Sequence, residues 1–427
     1  MREGANVAFE GTELNRTGTR LRGMRDVELD YQLLRVIGLA EYGGSSVGEC
    51  MAAAAGIAEG DFASWVKSFS AMGHRAETRG RSCLSAGHLV SARDQLFRAS
   101  TYYRAAEVFA EFDPQQRDED GARARQCFEE AAALADPPVE RIDIPYEDAL
   151  LAGYLVRPTR RSGRAKSEPL EHVRQSERTI IAIGGFDSTP EELYFQLGIA
   201  AIERGWNLLL FDAPGQIGCM RTKPDLTLRP DYGAVLTAVL DALEVCLGAL
   251  GQVALVGMSL GSYLAACGAA CDGRLSALVL DPPVTDLYRY LRAFLGSRAF
   301  ASVEDLRPED VEGVPVDLVG GHVAWGIRAV CRRFGVRSFQ EWKRSLEAYR
   351  LEREAAKISC PVLGVMGANE GAEVSRQAHG LVNLLGADQV SLITLGVEEG
   401  ADSHCQVANR RLATQVVFDW LDDRLGA

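Results

Sequence analysis

Beyond residue 178 the sequence repeats one pattern: short, nearly unbroken apolar runs separated by helical text. The runs are TIIAIGG (179–185), WNLLLFD (206–212), QVALVG (252–257), LSALVLD (275–281), PVLGVMG (361–367) and QVSLITLG (389–396). Helical segments from Pro190 to Arg204, Tyr232 to Leu250 and Leu260 to Cys271 lie between them. A strand that is apolar at every position must be covered on both faces, and helices between such strands supply the cover. This periodicity predicts a doubly wound, mostly parallel α/β sheet.

The flanking text divides the rest. Four segments between Asp30 and Ala135 place apolar residues at three- and four-residue intervals, which predicts a helical N-terminal domain over 27–136. Asp136-Pro137-Pro138 stops the last helix. VERIDIPYEDALLAGYLVRP then alternates on both sides of Tyr146-Glu147-Asp148, a β-hairpin that opens an α/β domain over 137–427. Residues 1–26 are polar and aperiodic, an expected flexible arm, and Thr159–Arg178 reads as an exposed basic loop. Between two strands, residues 286–357 interrupt the alternation with helical text, where a lid over the ligand edge of the sheet is expected.

Composition removes several function classes. Of 427 residues, 47% are hydrophobic and 25% charged, ordinary for a packed protein. A net charge of −13 argues against nucleic acid as a partner. No N-terminal apolar core and no run of about 18 apolar residues appears, so a cytoplasmic protein without a membrane partner is expected. Ten cysteines form no CxxC pair, and those in apolar text, Cys246, Cys267 and Cys271 among them, read as small core residues. Neither a metal nor a cofactor is expected; the partner is a small-molecule substrate, and the helical domain leaves a homodimer open.

GxSxG occurs twice, at Gly44–Gly48 and Gly257–Gly261. The first falls between helical segments and reads as a loop. The second follows the strand Gln252–Val256 and opens a helix, the setting in which a strained turn lifts a serine hydroxyl above a sheet. Ser259 is the expected nucleophile. A serine needs a base, and of the six histidines (74, 88, 172, 322, 379 and 404) His404 follows the last strand. Glu370, after PVLGVMG, is the expected orienting acid, with Asp281 the alternative and Glu373 and Asp402 further candidates. The Leu260 and Phe186 amides are the expected oxyanion donors, and Asp187 and Asp286 the expected substrate-facing residues.

Four stretches, GGFDSTPEELYF (184–195), FDAPGQIGCMR (211–221), GMSLGSYLA (257–265) and GADSHCQVANRRLATQVVFDWL (400–421), together with SARDQLFRASTYYRAAEVF (91–109), carry a resemblance that covers most of the chain from about residue 30. They resemble the α/β-hydrolase family of 2,6-dihydroxypseudooxynicotine hydrolase and the fungal polyketide-shortening hydrolases of pigment biosynthesis. The resemblance implies an α/β-hydrolase fold with a helical N-terminal domain over the active site, and cleavage of a carbon–carbon bond next to a ketone. It carries over Ser259, His404 and Glu370 as triad and places Arg98–Arg104 near the domain junction. Ala213, Ile217 and Ser262 stand where the family has glycine, and Glu370 where it has aspartate. The expected function is hydrolysis of a bulky aromatic or polyketide-type ketone or ester. Elimination, cyclisation or acyl transfer by the same triad is the second reading, and a non-catalytic binding protein the third.

Overall fold

The structure is a computed structural model that describes residues 16, 19, 21, 26–158, 177–295, 300, 306–311 and 321–426. The expected arm (1–26) lies outside these residues apart from four positions, as do the basic segment 159–176 and, within the expected lid, 296–299, 301–305 and 312–320.

Five helices come first: α1 (Val27–Gly38), α2 (Val47–Ala54), α3 (Phe62–Ser85), α4 (Leu89–Phe109) and α5 (Pro114–Ala132). Local chemistry fixes their starts. The carboxylates of Asp26, Asp61 and Asp113 accept from first-turn amides of α1, α3 and α5, and α5 begins with proline, whose missing N–H costs nothing there. The hairpin follows as β1 (Val139–Tyr146) and β2 (Ala149–Val156), turning through Glu147.

The remaining strands are β3 (Arg178–Ile183), β4 (Asn207–Phe211), β5 (Gln252–Met258), β6 (Ala277–Asp281), β7 (Val362–Gly367) and β8 (Val390–Leu395). The eight form one sheet in the order β1-β2-β4-β3-β5-β6-β7-β8, antiparallel at β1-β2 and β2-β4 and parallel elsewhere. Connections leave β3 in opposite directions, toward β4 and later back to β5. The crevice beyond the carboxyl ends of β3 and β5 is therefore the place where such a sheet binds ligands.

The helices between and after these strands are α6 (Pro190–Leu193), α7 (Ile199–Glu203), α8 (Ile217–Thr222), α9 (Gly233–Leu247), α10 (Leu260–Cys271), α11 (Leu287–Leu295), α12 (Gly321–Phe334), α13 (Phe339–Ser345), α14 (Ala372–Leu385) and α15 (Arg410–Leu425). The single helix expected over 190–204 is interrupted by a wider π-helical turn, Tyr194–Gly198. That turn sets Tyr194 and Phe195 against Phe97 of α4, at ring distances of 5.5 and 5.2 Å. Tertiary aromatic packing decides the local winding here.

Two apolar cores sandwich the sheet. One joins α1–α5 (Leu33, Trp65, Phe109, Phe128) to the sheet face bearing Leu208, Leu210, Ala254 and Val256. The other joins the opposite face (Leu209, Phe211, Val253, Leu255) to α9, α10 and the 287–358 segment through Tyr263, Phe334 and Trp342. Cys267 is buried as expected, whereas Cys246 and Cys271 are exposed. Cys246 stands on the outer side of α9, which packs by one face, and Cys271 is the last residue of the otherwise buried α10.

Candidate active site

β5 ends at Met258 and α10 begins at Leu260, so Ser259 makes the turn, with φ 56° and ψ −123°. A non-glycine residue held there costs on the order of 1–3 kcal/mol and persists only where its surroundings enforce it. The enforcement comes from glycines on either side. A Cβ on Gly257 would lie 2.4 Å from the Gly261 carbonyl oxygen, and one on Gly261 2.3 Å from that of Ile183. Ser262 is a serine for a visible reason: its hydroxyl donates to the Gly257 carbonyl (2.8 Å) and accepts from the Asp281 amide (2.9 Å), tying the turn to β6. The other GxSxG runs from a turn into the first two residues of α2, with its central Ser46 at the helix N-cap and Ser45 donating its hydroxyl to the Val36 carbonyl at 2.6 Å.

Ser259 Oγ lies 2.9 Å from His404 Nε2, and His404 Nδ1 lies 2.8 Å from Glu370 Oε2. Both His404 and Glu370 are buried, and the Cys405 amide donates to the second Glu370 oxygen at 3.4 Å. The loop after β8 that presents His404 is held from several sides. The Arg16 carbonyl accepts from the His404 amide (2.6 Å), Tyr31 Oη donates to the His404 carbonyl (3.3 Å), and Arg410 donates to the Cys405 carbonyl (2.6 Å). Asp281 accepts instead from the Gln406 side chain at 3.1 Å. Burial, reinforced by the Glu370 charge, pushes the Asp281 carboxyl up to about 8, so it is largely protonated at neutral pH. Glu373 is paired with Arg376, and Asp402 accepts from the Asn369 amide.

The loop after β3 runs directly over Ser259: a Cβ on Gly185 would lie 2.9 Å from that of Ser259. Gln216 donates to the Gly184 carbonyl at 2.7 Å. Helix α1 holds the loop's far end, where Arg35 donates to the Asp187 carboxylate (2.6 Å) and forks onto Glu192 (2.7 and 2.6 Å), while Arg104 donates to the Asp187 carbonyl. Burial pushes the Asp187 carboxyl upward, but Arg35 and Arg104 together hold it well below the usual range. Asp187 thus borders the cavity with its charge already committed. Phe186 borders the same cavity, and Leu260 carries the first amide of α10, at the positive end of that helix.

The cavity over Ser259 measures about 40 Å³, and Tyr31, Phe186, Gln196, Trp325 and His404 are among its walls. The Tyr290 hydroxyl also faces Ser259, and burial raises its pKa above the ordinary tyrosine value. Asp286 is placed elsewhere than expected: its carboxylate accepts from the Arg289 amide (2.9 Å) at the start of α11 and pairs with Arg289 and Arg350. Its backbone is bonded to Gln377 of α14. Tyr31, Arg35 and Trp325 went unread in the sequence. One signal was available for the first two, since both are large polar residues buried within the apolar text of α1. Among the described residues no group of three His, Cys, Asp or Glu side chains is placed to hold a metal ion, and no helix is long and apolar enough to cross a membrane.

A parallel sheet with an antiparallel leading hairpin and a strained serine between β5 and α10 defines an α/β-hydrolase. No family model matches the chain. Hydrolase acrC of Aspergillus aculeatus is 32% identical to it over 434 residues, covering 92% of this chain and 96% of its own. Hydrolyase poxO of Penicillium oxalicum is 28% identical over 429 residues, covering 93% of this chain and 97% of its own. The crystal structure of 2,6-dihydroxy-pseudo-oxynicotine hydrolase covers 91% of this chain and 95% of its own with a TM-score of 0.64 at 22% identity, and so shares the fold. The chain belongs to the α/β-hydrolase family of these hydrolases and is an enzyme of that class.

Proposed function

We propose that the protein is a serine hydrolase cleaving a carbon–carbon bond next to a ketone, or an ester, in a bulky aromatic or polyketide-type substrate. The observation that carries this reading is the continuous hydrogen-bonded line from Ser259 through His404 to Glu370. His404 takes the serine proton as Oγ attacks the carbonyl carbon, and Glu370 steadies the resulting imidazolium. The Leu260 and Phe186 amides receive the oxyanion. Collapse breaks the bond to the leaving group, which takes the proton from His404 as an alcohol or, after carbon–carbon cleavage, as an enol or arene carbon. Water activated by His404 then releases the acid.

Two experiments test the proposal. A fluorophosphonate probe should label the wild-type protein and not Ser259→Ala; equal labelling of both would remove Ser259 as nucleophile. Turnover of an aryl 1,3-diketone in ¹⁸O-water should place one solvent oxygen in the acid product. A product free of solvent oxygen would assign the triad to elimination, cyclisation or acyl transfer instead.

A further inference from the structure

Arg333 lies two turns beyond Trp325 on α12, and the spacing Trp325, Ala329, Arg333 sets all three on one face of the helix. Trp325 borders the cavity over Ser259. The Arg333 guanidinium lies 4.0 Å from the centroid of the Phe186 ring, and Phe186 borders the same cavity. Arg333 is 0% exposed, yet Nε, Nη1 and Nη2 all lack an acceptor among the described residues.

The neighbouring arginines differ. Arg16 is paired with Glu28, Arg35 with Asp187 and Glu192, and Arg410 with the Cys405 carbonyl. The carboxylates nearest Arg333 are committed as well: Glu111 to Arg332 (2.6 Å), Glu107 to Arg221 (2.7 Å) and Asp187 to Arg35 (2.6 Å). Burial, with the Arg332 charge, lowers the Arg333 pKa to about 10, so it stays a cation at neutral pH. A buried cation without acceptors is strongly destabilising, and stacking on a phenyl ring offsets only part of that. The imbalance is what an incoming anion would correct.

We propose that Arg333 is the specificity residue that receives a carboxylate of the substrate, which makes the substrate a ketone or ester that also bears an ionised acid. The proposal rests on the hydrolase reading above and adds the substituent. The planar fork of N–H donors matches a carboxylate at two points, and the 4.0 Å contact with Phe186 sets the guanidinium beside the loop over Ser259.

The test compares binding of 4-oxo-4-phenylbutanoate with that of its methyl ester, by calorimetry, on the wild-type protein and on Ser259→Ala. The acid is expected to bind both proteins at least ~10-fold more tightly than the ester, the size of a charge-assisted bidentate contact. Arg333→Met should remove that preference by weakening the acid while leaving the ester within ~2-fold, and Arg333→Lys, which keeps the charge without the fork, should fall between. Equal affinity for acid and ester, no binding of the acid, or a preference that survives Arg333→Met each overturns the assignment. Should Arg333→Met fail to fold, the wild-type comparison and Arg333→Lys decide. Hydrolysis persisting in Ser259→Ala would defeat the nucleophile reading without altering these affinities, so the two failures are distinguishable.

Discussion

Glu370 Oε2 meets His404 Nδ1 at 2.8 Å, while Asp281, another buried acid at this edge of the sheet, accepts from Gln406. Among the described residues, Glu370 is the carboxylate in contact with the His404 ring. Glu370→Gln should lower kcat for a p-nitrophenyl ester by roughly 10³–10⁴, the scale seen when a triad acid becomes an amide. Asp281→Asn, which preserves shape and neutrality, should stay within about 3-fold of wild type. The reverse order of effects in steady-state kinetics would transfer the acid's role to Asp281.

The loop over Ser259 is positioned by the helical domain. Arg35 bridges α1 to Asp187, one residue beyond Phe186, and to Glu192 in α6. Arg35→Met leaves two buried carboxylates short of a partner, so unfolding free energy should fall by about 3–5 kcal/mol. Loss of an aligned oxyanion donor costs about 10²–10³ in kcat, and a displaced loop should lose a substantial part of that, on the order of 10-fold or more, with KM nearly unchanged. A rise in KM at constant kcat would mean that Arg35 serves binding alone.

The parts legible in the sequence are those fixed by local chemistry. Six apolar runs became six sheet strands, and Gly257 and Gly261 marked a turn where an added Cβ would meet backbone. His404 and Glu370 were found from strand order, because in a doubly wound sheet the loop after each strand opens on the same edge. Asp286 was misplaced for the same reason: it occupies such a loop, but the chain turns into α11 there and uses its carboxylate as a cap. Tyr31, Arg35 and Trp325 reach the site, and Arg333 the Phe186 ring beside it, from positions far from Ser259 in sequence, through packing of α1 and α12 that periodicity does not encode. A buried polar residue on an otherwise apolar helix face is the trace such residues leave.

Ser262 joins Gly257 to Asp281 through one hydroxyl. Ser262→Ala strands a buried carbonyl and a buried amide together, and should cost about 1–3 kcal/mol in urea unfolding. Since the Gly257 and Gly261 contacts still enforce the Ser259 turn, kcat should drop less than about 10-fold. Unchanged stability would show that the hydroxyl is incidental and that this position needs only a small residue.

Stability should decline with rising pH on account of the same aspartate. The folded Asp281 carboxyl titrates near 8, against about 3.9 for an unfolded aspartate. Between these values the native state holds a proton that the unfolded state has released. The contribution is thus fully present below the unfolded value and is lost as pH rises to about 8. Asp212, raised to about 7 by burial and the Glu191 charge, acts in the same direction. Asp187 and Glu192, held low by arginines, act oppositely, but their contribution is already complete above about pH 5. From pH 5.5 to 8, urea unfolding of the wild type should therefore show falling stability, and Asp281→Asn a shallower fall that keeps the Asp212 share. Parallel slopes for the two proteins would place the Asp281 proton elsewhere.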